Sequence, residues 1–546
     1  MDKLKAHKTV AWIGVAAAAV ALFFLYSFLP LTAPGYGNSP DENANLTFAR
    51  GFARSGLLYR GDELNIISPG NFFVRSTRVV DSFIVPVGFV GLPVLYGGAA
   101  KAAGEAAIPF MTPALALVGL AAWFGLTRRL FGAATASLAT GLLALHPLWW
   151  YETARTMQPN VLFAALALVA AYLILARPLV GRMPGRLAQV IDAALGGVAF
   201  GLALAVRPAE AYWLGAAAVI LVALNWRRVR WAGVATTVAL AALTLAPFLG
   251  LNRSLYGTWL ASGYSAVDVA AAGVGGGFGQ RLLGPLQPYL FPLGFAPRSA
   301  LGRFWDFGVA FLPWWSAFVA ASLGWLAWRW RRVLRPWREA LRRPAGQAAV
   351  VSAAVVAWLV LFYGSYEVPD GAAVTLGSSY LRYWLPLAVL STWPVAWAAW
   401  RLAQRTGRAA FALTAFGLLY AAASAGTVFL ARPDGLLAVQ AELRRYAAIM
   451  DELRRLVPAN AAVVADQADK YIYPSRMVTQ PMRSEHAWQA IEDVRDAAPV
   501  YYFGITLPAA DFAYLRDAKL APLGLAPELV ATFDHESLYY FKRVNR

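Results

Sequence analysis

Cysteine is absent from this chain, and charge is scarce. Without a thiol there is no disulfide, no thiol nucleophile and no Cys-based metal site. Charged residues fill 14% of the 546 positions, against roughly 25% in soluble globular domains, which excludes an ordinary globular protein. Histidine is rarer still. His7, His146, His486 and His535 stand far apart with no partner at metal-ligand spacing, so a zinc site is not expected. No Gly-x-Ser-x-Gly elbow occurs, and no Gly-Lys-Ser/Thr follows the glycine-rich stretch from Gly273 to Gly279. A phosphate-loop nucleotide site is therefore not expected, and a flexible substrate-covering loop is the better reading of those glycines.

What the chain has in quantity is apolar sequence. Hydrophobic residues make up 59% and the mean hydropathy is +0.51. Repeated apolar stretches near span length mark a polytopic α-helical membrane protein. The 21 Trp and 23 Tyr suit membrane interfaces. The net charge of +18 would fit nucleic acid if it were gathered in one region. Instead the arginines fall in short clusters between apolar runs, the orientation signal of a membrane protein, and no nucleic acid partner is expected. Some of these arginines also suit anionic lipid or phosphate.

The basic start from Met1 to Lys8 precedes an apolar run from Val10 to Leu31. That run is longer than a signal-peptide core of about 7–15 residues, so a retained first span with its N-terminus inside is expected. Further spans are read at Ile108 to Leu126, Phe131 to Trp149, Val161 to Ala176, Val190 to Val206, Ala211 to Leu224 and Val234 to Leu251. Four more follow at Phe307 to Trp328, Val350 to Tyr363, Leu385 to Trp400 and Phe411 to Leu430. The total is about eleven, with Arg128-Arg129, Arg177, Arg182, Arg186, Arg227, Arg228, Arg230, the stretch from Arg329 to Arg343, and Arg401, Arg405 and Arg408 inside. Outer loops then cover 32–107 and 252–306. The broken apolar segment from Phe83 to Ala99 reads as interfacial or re-entrant, and Leu57 to Arg78 as loop.

From Arg432-Pro433 the composition becomes that of a soluble domain, so 1–430 forms the membrane part and 431–546 a small C-terminal α/β domain of roughly 110 residues. Leu436 to Leu456 reads as an amphipathic helix ended by Pro458. Ala461 to Ala465 and Pro499 to Ile505 read as strands, His486 to Ala497 as a helix, and Leu529 to Phe533 with Leu538 to Lys542 as a closing hairpin. Parity places this domain outside.

Candidate chemistry lies on the outer loops. Ser39 reads as an N-cap, Pro40 as the first helical residue and Glu42 as the partner completing a capping box. The helix runs to about Arg54 and stops at Gly56. Capping accounts for Glu42, and the helix dipole favours acids in a first turn; Asp41 and Glu42 are equally the first acidic pair beyond the membrane. A further outer-loop acid, Glu152, lies in the loop between the third and fourth spans, three residues before Arg155. Arg382 stands at the outer mouth of a span. There it either snorkels or offers a guanidinium suited to bidentate phosphate binding.

In this order, a first span, an outer Asp41-Glu42 pair opening a surface helix, an Ala154-Arg155-Thr156 loop before the fourth span, and Arg382-Tyr383-Trp384-Leu385-Pro386 late in the chain, the sequence resembles the GT-C membrane glycosyltransferases. The group is that of the protein O-mannosyltransferases and lipid A aminoarabinose transferases, and the likeness covers the first 430 residues. The resemblance implies a sugar donor linked to polyprenyl phosphate and a lipid, glycan or protein acceptor whose hydroxyl is glycosylated at the outer face. It implies Asp41 as general base of an inverting displacement, with Glu42 and Glu152 as further acids of the catalytic loops. Arg382, and secondarily Arg155, would face the leaving phosphate. Such relatives often carry a second acid before the fourth span, where this chain has Gln158-Pro159-Asn160; either Glu152, a few residues earlier, substitutes or the role is absent. That departure speaks against a metal-assisted, paired-acid mechanism, so no cofactor is expected, with a divalent metal the less favoured alternative. The rival readings are a transporter or flippase of a lipid-linked sugar, which would favour inverted repeats and mid-membrane charge, and a non-catalytic membrane scaffold. The implied location is the plasma (inner) membrane, in contact with its lipids.

Overall fold

The computed structural model describes residues 2–176, 185–264, 284, 290–333, 341, 343–366 and 373–544. The glycine-rich stretch 273–279, Arg177, Arg182, the acids at 367 and 370, and 334–340 and 342 of the basic stretch lie outside the described residues. The chain divides into two compact units. One comprises Met1–Phe28, Thr112–Pro247 and Ala272–Ala438; the other comprises Leu29–Met111, Phe248–Ala271 and Val439–Arg546.

The first unit is built of apolar helices. Among the described residues six helices are long and apolar enough to cross a membrane, or eight if each of two bent pairs is one span. The expected figure of about eleven is larger, and some of the expected apolar runs are interrupted. Phe131 to Trp149 is not one helix: Gly132, at φ 88°, separates Ile108–Phe131 from Ala133–Ala144. A new helix, Pro147–Ala154, then starts at His146, whose ring accepts from the Leu148 amide at 3.3 Å. That short helix turns by 117° into the next, Pro159–Leu175. A second bend, of 101°, falls between Pro297–Ala310 and Pro313–Trp328, so the run expected from Phe307 to Trp328 is also broken. Proline lacks the N–H that would continue a helical ladder, which is why Pro147, Pro159 and Pro313 each open a new helix.

Small residues let these helices approach closely. A Cβ on Gly197 would lie 2.5 Å from the Thr237 carbonyl oxygen, and one on Gly201 would lie 2.6 Å from that of Ala241. Helices Gly185–Val206 and Trp231–Tyr256 therefore pack backbone to backbone at these points, as apolar helices do when no hydrophobic drive separates them from lipid.

The second unit opens with the helix Pro40–Ser55, and its start matches the sequence closely. Ser39 caps it, Glu42 Oε2 accepts from the amides of Asn38 at 2.6 Å and Ser39 at 2.9 Å, and Gly56 ends it in the left-handed region at φ 76°. The segment expected to be loop, Leu57 to Arg78, instead contains β1 (Arg60–Gly61), a helical turn Leu64–Ile67, and the start of β2 (Thr77–Val80). With β3 (Phe83–Pro86) these strands form an antiparallel sheet of order β1-β3-β2. The helix Gly91–Ala103 follows, with 13 residues, too few for the roughly 20 a span requires.

The C-terminal elements fall where hydrophobic periodicity placed them. The helix Leu436–Leu456 precedes β4 (Ala462–Ala465), β5 (Met477–Thr479), β6 (Val500–Ile505), β7 (Leu525–Phe533) and β8 (Glu536–Arg543). The sheet order is β5-β4-β6-β8-β7, parallel among β5, β4 and β6 and antiparallel across β6-β8-β7. Its core is not made of C-terminal residues alone. Leu64 and Phe72 are buried among Val464, Ile491, Val500, Tyr502 and Phe541, and Ser68 donates to Asp493 at 2.6 Å. A segment far ahead of the C-terminal region in sequence thus completes the hydrophobic core of the α/β sheet.

Candidate functional site

The candidate residues fall into two groups, one in each unit. In the helical unit, Arg382 lies in the short 3-10 turn Leu381–Trp384 and is buried, 8% exposed. Its guanidinium donates to the Gln158 side-chain oxygen. Asn160 Nδ2 returns a bond of 3.1 Å to the Arg382 carbonyl. Gln158 and Asn160 are the residues standing where the resemblance expects an acid. A neutral amide there holds one guanidinium nitrogen without adding charge of its own.

Arg155 is equally buried and reaches the same segment, donating from Nη1 to the Gly377 carbonyl at 3.5 Å. Gly377 itself leaves no room for a side chain, because a Cβ would meet Asp434 at 2.7 Å. Glu152, 1% exposed, lies on the helix Pro147–Ala154 that leads into this loop. The loop is further fixed by Thr112, whose hydroxyl donates to the Thr156 carbonyl, and Thr156 takes φ 56°. Glu152, Arg155 and Arg382 therefore belong to one locality, although more than two hundred positions separate Gln158 from Arg382 along the chain.

A buried ion pair supports this locality from the other side. Arg207 donates to Glu210 at 2.6 Å, and the Tyr363 hydroxyl donates to the same carboxylate at 2.6 Å. The Tyr383 ring stacks on Tyr363 with centroids 4.8 Å apart. Both Arg207, at 5.2 Å, and Arg382, at 5.6 Å, place their guanidinium carbon over that ring. Arg207 was not among the residues singled out from the sequence; its signal was an arginine directly after an apolar helix, three residues before an acid.

In the second unit, Asp41 and Glu42 lie in the first turn of Pro40–Ser55. Glu42 is 1% exposed and closes the capping box. Gly37 permits this closure, since a Cβ there would fall 2.4 Å from that of Glu42. Asp41 points elsewhere: its Oδ1 accepts from the Ser76 hydroxyl at 2.5 Å. Lys470 lies near this helix start. Burial holds its ammonium below the usual lysine range, with Arg75 acting the same way and Glu442, Asp469 and Glu42 acting against it.

Among the described residues no three or more His, Asp or Glu side chains come together as a metal-binding group. His146 and His486 serve local structure instead: His146 caps a helix, and His486 stacks on Phe73 with centroids 5.2 Å apart.

No family model matches the chain, and no curated protein matches it in sequence. Solved structures do. The crystal structure of ArnT from Cupriavidus metallidurans bound to undecaprenyl phosphate is similar over 97% of this chain and 98% of its own, with a TM-score of 0.56 at 13% identity. The same protein in its apo state is similar over 98% of both chains, with a TM-score of 0.56 at 14% identity. The apo oligosaccharyltransferase of Archaeoglobus fulgidus is similar over 95% of this chain and 73% of its own, with a TM-score of 0.50 at 12% identity. The fold is that of the GT-C membrane proteins, and the apolar helices make the chain an integral membrane protein.

Proposed function

We propose that the chain is a membrane glycosyltransferase that moves a sugar from a polyprenyl-phosphate donor to an acceptor hydroxyl at the extracytoplasmic face, inverting the anomeric carbon. The observation that carries this reading is likeness of fold along nearly the whole chain, the C-terminal α/β region included, to a protein crystallised with undecaprenyl phosphate bound.

In the reaction, the Asp41 carboxylate takes the proton of the acceptor hydroxyl as its oxygen attacks the anomeric carbon. The bond between that carbon and the phosphate oxygen breaks, and the electron pair leaves with the lipid phosphate. Negative charge gathers on the departing phosphate, so cationic donors fixed in advance lower the barrier. Arg382 is the first such donor and Arg155 the second, because both guanidinium groups are already held by amide and carbonyl acceptors of their own locality. A planar fork of donors fits a phosphate in two-point contact. Glu152 is the further acid of the helical unit, and Glu42 shapes the helix that bears Asp41. The basic loops set the N-terminus inside and the C-terminal domain outside.

The test uses purified full-length protein and a radiolabelled polyprenyl-phosphate sugar. Release of free lipid phosphate that depends on an acceptor and is abolished by Asp41→Asn supports the reading. Undiminished turnover by Asp41→Asn removes the base, and sugar-lipid movement across vesicles without transfer replaces the enzyme with a flippase.

A further inference from the structure

We propose that Ser76 is the positioning residue for the Asp41 carboxylate, and that Asp469 of the C-terminal α/β region holds Ser76 in place through Arg75. This rests on the reading of Asp41 as general base.

The argument starts from backbone geometry. Ser76 has φ 65°, a left-handed conformation that a residue with a Cβ adopts only where its surroundings enforce it. The enforcement is visible on both sides. Before Ser76, the Arg75 amide donates to Asp469 Oδ2 at 2.9 Å. The Arg75 guanidinium meets the same carboxylate through Nε at 3.0 Å and Nη2 at 2.6 Å, and Nη2 also donates to the Gln467 carbonyl at 2.9 Å. After Ser76, Thr77 clamps its loop through reciprocal bonds with the Val74 backbone, at 2.7 and 3.1 Å. The Ser76 carbonyl itself accepts from the Val87 amide at 3.1 Å. The one side-chain atom this arrangement presents is the Ser76 hydroxyl, and it donates to Asp41 Oδ1.

Asp469 is fully buried, at 0% exposure. A buried carboxylate is costly unless its charge and acceptor sites are met, and here Arg75 meets them from a segment 394 positions away. The helical turn Asp469–Ile472 packs against Pro40–Ser55 itself, so the same segment supports the base's helix and the loop that orients the base. Among the described residues, the charged groups on the elements packed here include Glu42 on its own helix, Arg75 on the loop, and Asp469 and Lys470 on the packed turn. β3 brings none, and Lys101 of the helix Gly91–Ala103 lies over Phe52 at the far end. The Ser76 hydroxyl holds one oxygen of the Asp41 carboxylate, and a base fixed in direction before the acceptor hydroxyl arrives is what a near-attack geometry requires.

The experiment compares kcat, donor KM and the acidic limb of the pH–rate profile for Asp41→Asn, Ser76→Gly, Ser76→Asn, Asp469→Asn and the Ser76→Gly/Asp469→Asn pair, in the full-length protein. Glycine accepts φ 65° without strain, so Ser76→Gly keeps the backbone while removing the hydroxyl. The expected result is a fall in kcat of about tenfold with donor KM within about twofold, and an acidic limb displaced upward by about one pH unit, as for a carboxylate deprived of one donor. Ser76→Asn, tolerated in this backbone region and still a donor, restores most of kcat. Asp469→Asn acts in the same direction, and the double variant is no slower than Ser76→Gly, because both residues act through one contact. An unchanged kcat and limb in Ser76→Gly, or additive losses in the double variant, overturns the inference, while an inactive Asp41→Asn leaves the base reading standing. Full turnover by Asp41→Asn overturns both.

Discussion

Gln158 and Arg382 meet side chain to side chain across 224 positions of sequence, and Asn160 secures the contact by bonding the Arg382 backbone. The consequence is a guanidinium whose direction is set before any anion arrives. Fixed donors of this kind need no reorganisation when charge develops, which is where their advantage over mobile ones lies.

Arg382→Ala should therefore lower kcat/KM for a polyprenyl-phosphate donor by about two orders of magnitude, the typical cost of removing one such stabilising donor. Arg382→Lys keeps the charge but loses the fork and should recover only part of it. Steady-state kinetics with labelled donor measure both. Equal activity of the Ala variant and the parent would remove Arg382 from the reaction.

The buried Arg207–Glu210 pair makes a stability prediction. Its side chains are 6% and 3% exposed. Arg207→Met alone should destabilise by about 3–5 kcal/mol, because it strands a buried carboxylate. Arg207→Met with Glu210→Leu should recover much of that loss. Thermal unfolding in detergent compares the three proteins.

Close packing predicts an asymmetry between adjacent glycines. A Cβ on Gly97 would lie 2.5 Å from the Ala49 carbonyl oxygen, whereas the nearest atom to one on Gly98 is 4.0 Å away. Gly97→Ala should lower stability by about 1–3 kcal/mol, as overpacking against backbone does. Gly98→Ala should leave the thermal midpoint nearly unchanged.

Lys470 gives a pH-dependent effect. Its folded-state pKa lies below the ordinary value of 10.5 because burial disfavours the ammonium. The proton is thus bound more weakly in the folded state, and the penalty is complete below the folded pKa and gone above the unfolded one. Lys470→Met should accordingly raise the thermal midpoint at pH 7, with the gain shrinking as pH climbs towards 10.5. Melting curves across that range decide it.

Orientation can be read chemically, since no native cysteine competes for a label. A cysteine at the exposed Ala510 should react with a membrane-impermeant maleimide in intact cells. One at the exposed Thr406 should react only after permeabilisation. The reverse pattern would invert the topology argued from the basic loops.

Much of this protein was legible in its sequence where interactions are local. The capping box at Ser39 and Glu42, the stop at Gly56 and the C-terminal strands depend on residues within a few positions of one another or on simple periodicity. Breaks in the apolar runs were the weak point. Hydropathy sums over a window and does not register that Pro147 and Pro313 redirect the chain. The β1-β3-β2 sheet was missed for a related reason: its strands are two to four residues long, too short to show alternation.

The sequence by itself determined that the chain is helical and membrane-embedded, with an α/β end and a small set of loop acids and arginines to consider, because composition and period decide burial in lipid or water. Only the tertiary structure decided which side chains lie together. It joined Arg382 to Gln158, seated Leu64 and Phe72 in the C-terminal core, and turned the Ser76 hydroxyl onto Asp41. Each of these contacts closes a long loop of chain. Its partners are chosen by packing and by the need to satisfy buried polar groups, and no local pattern encodes that choice.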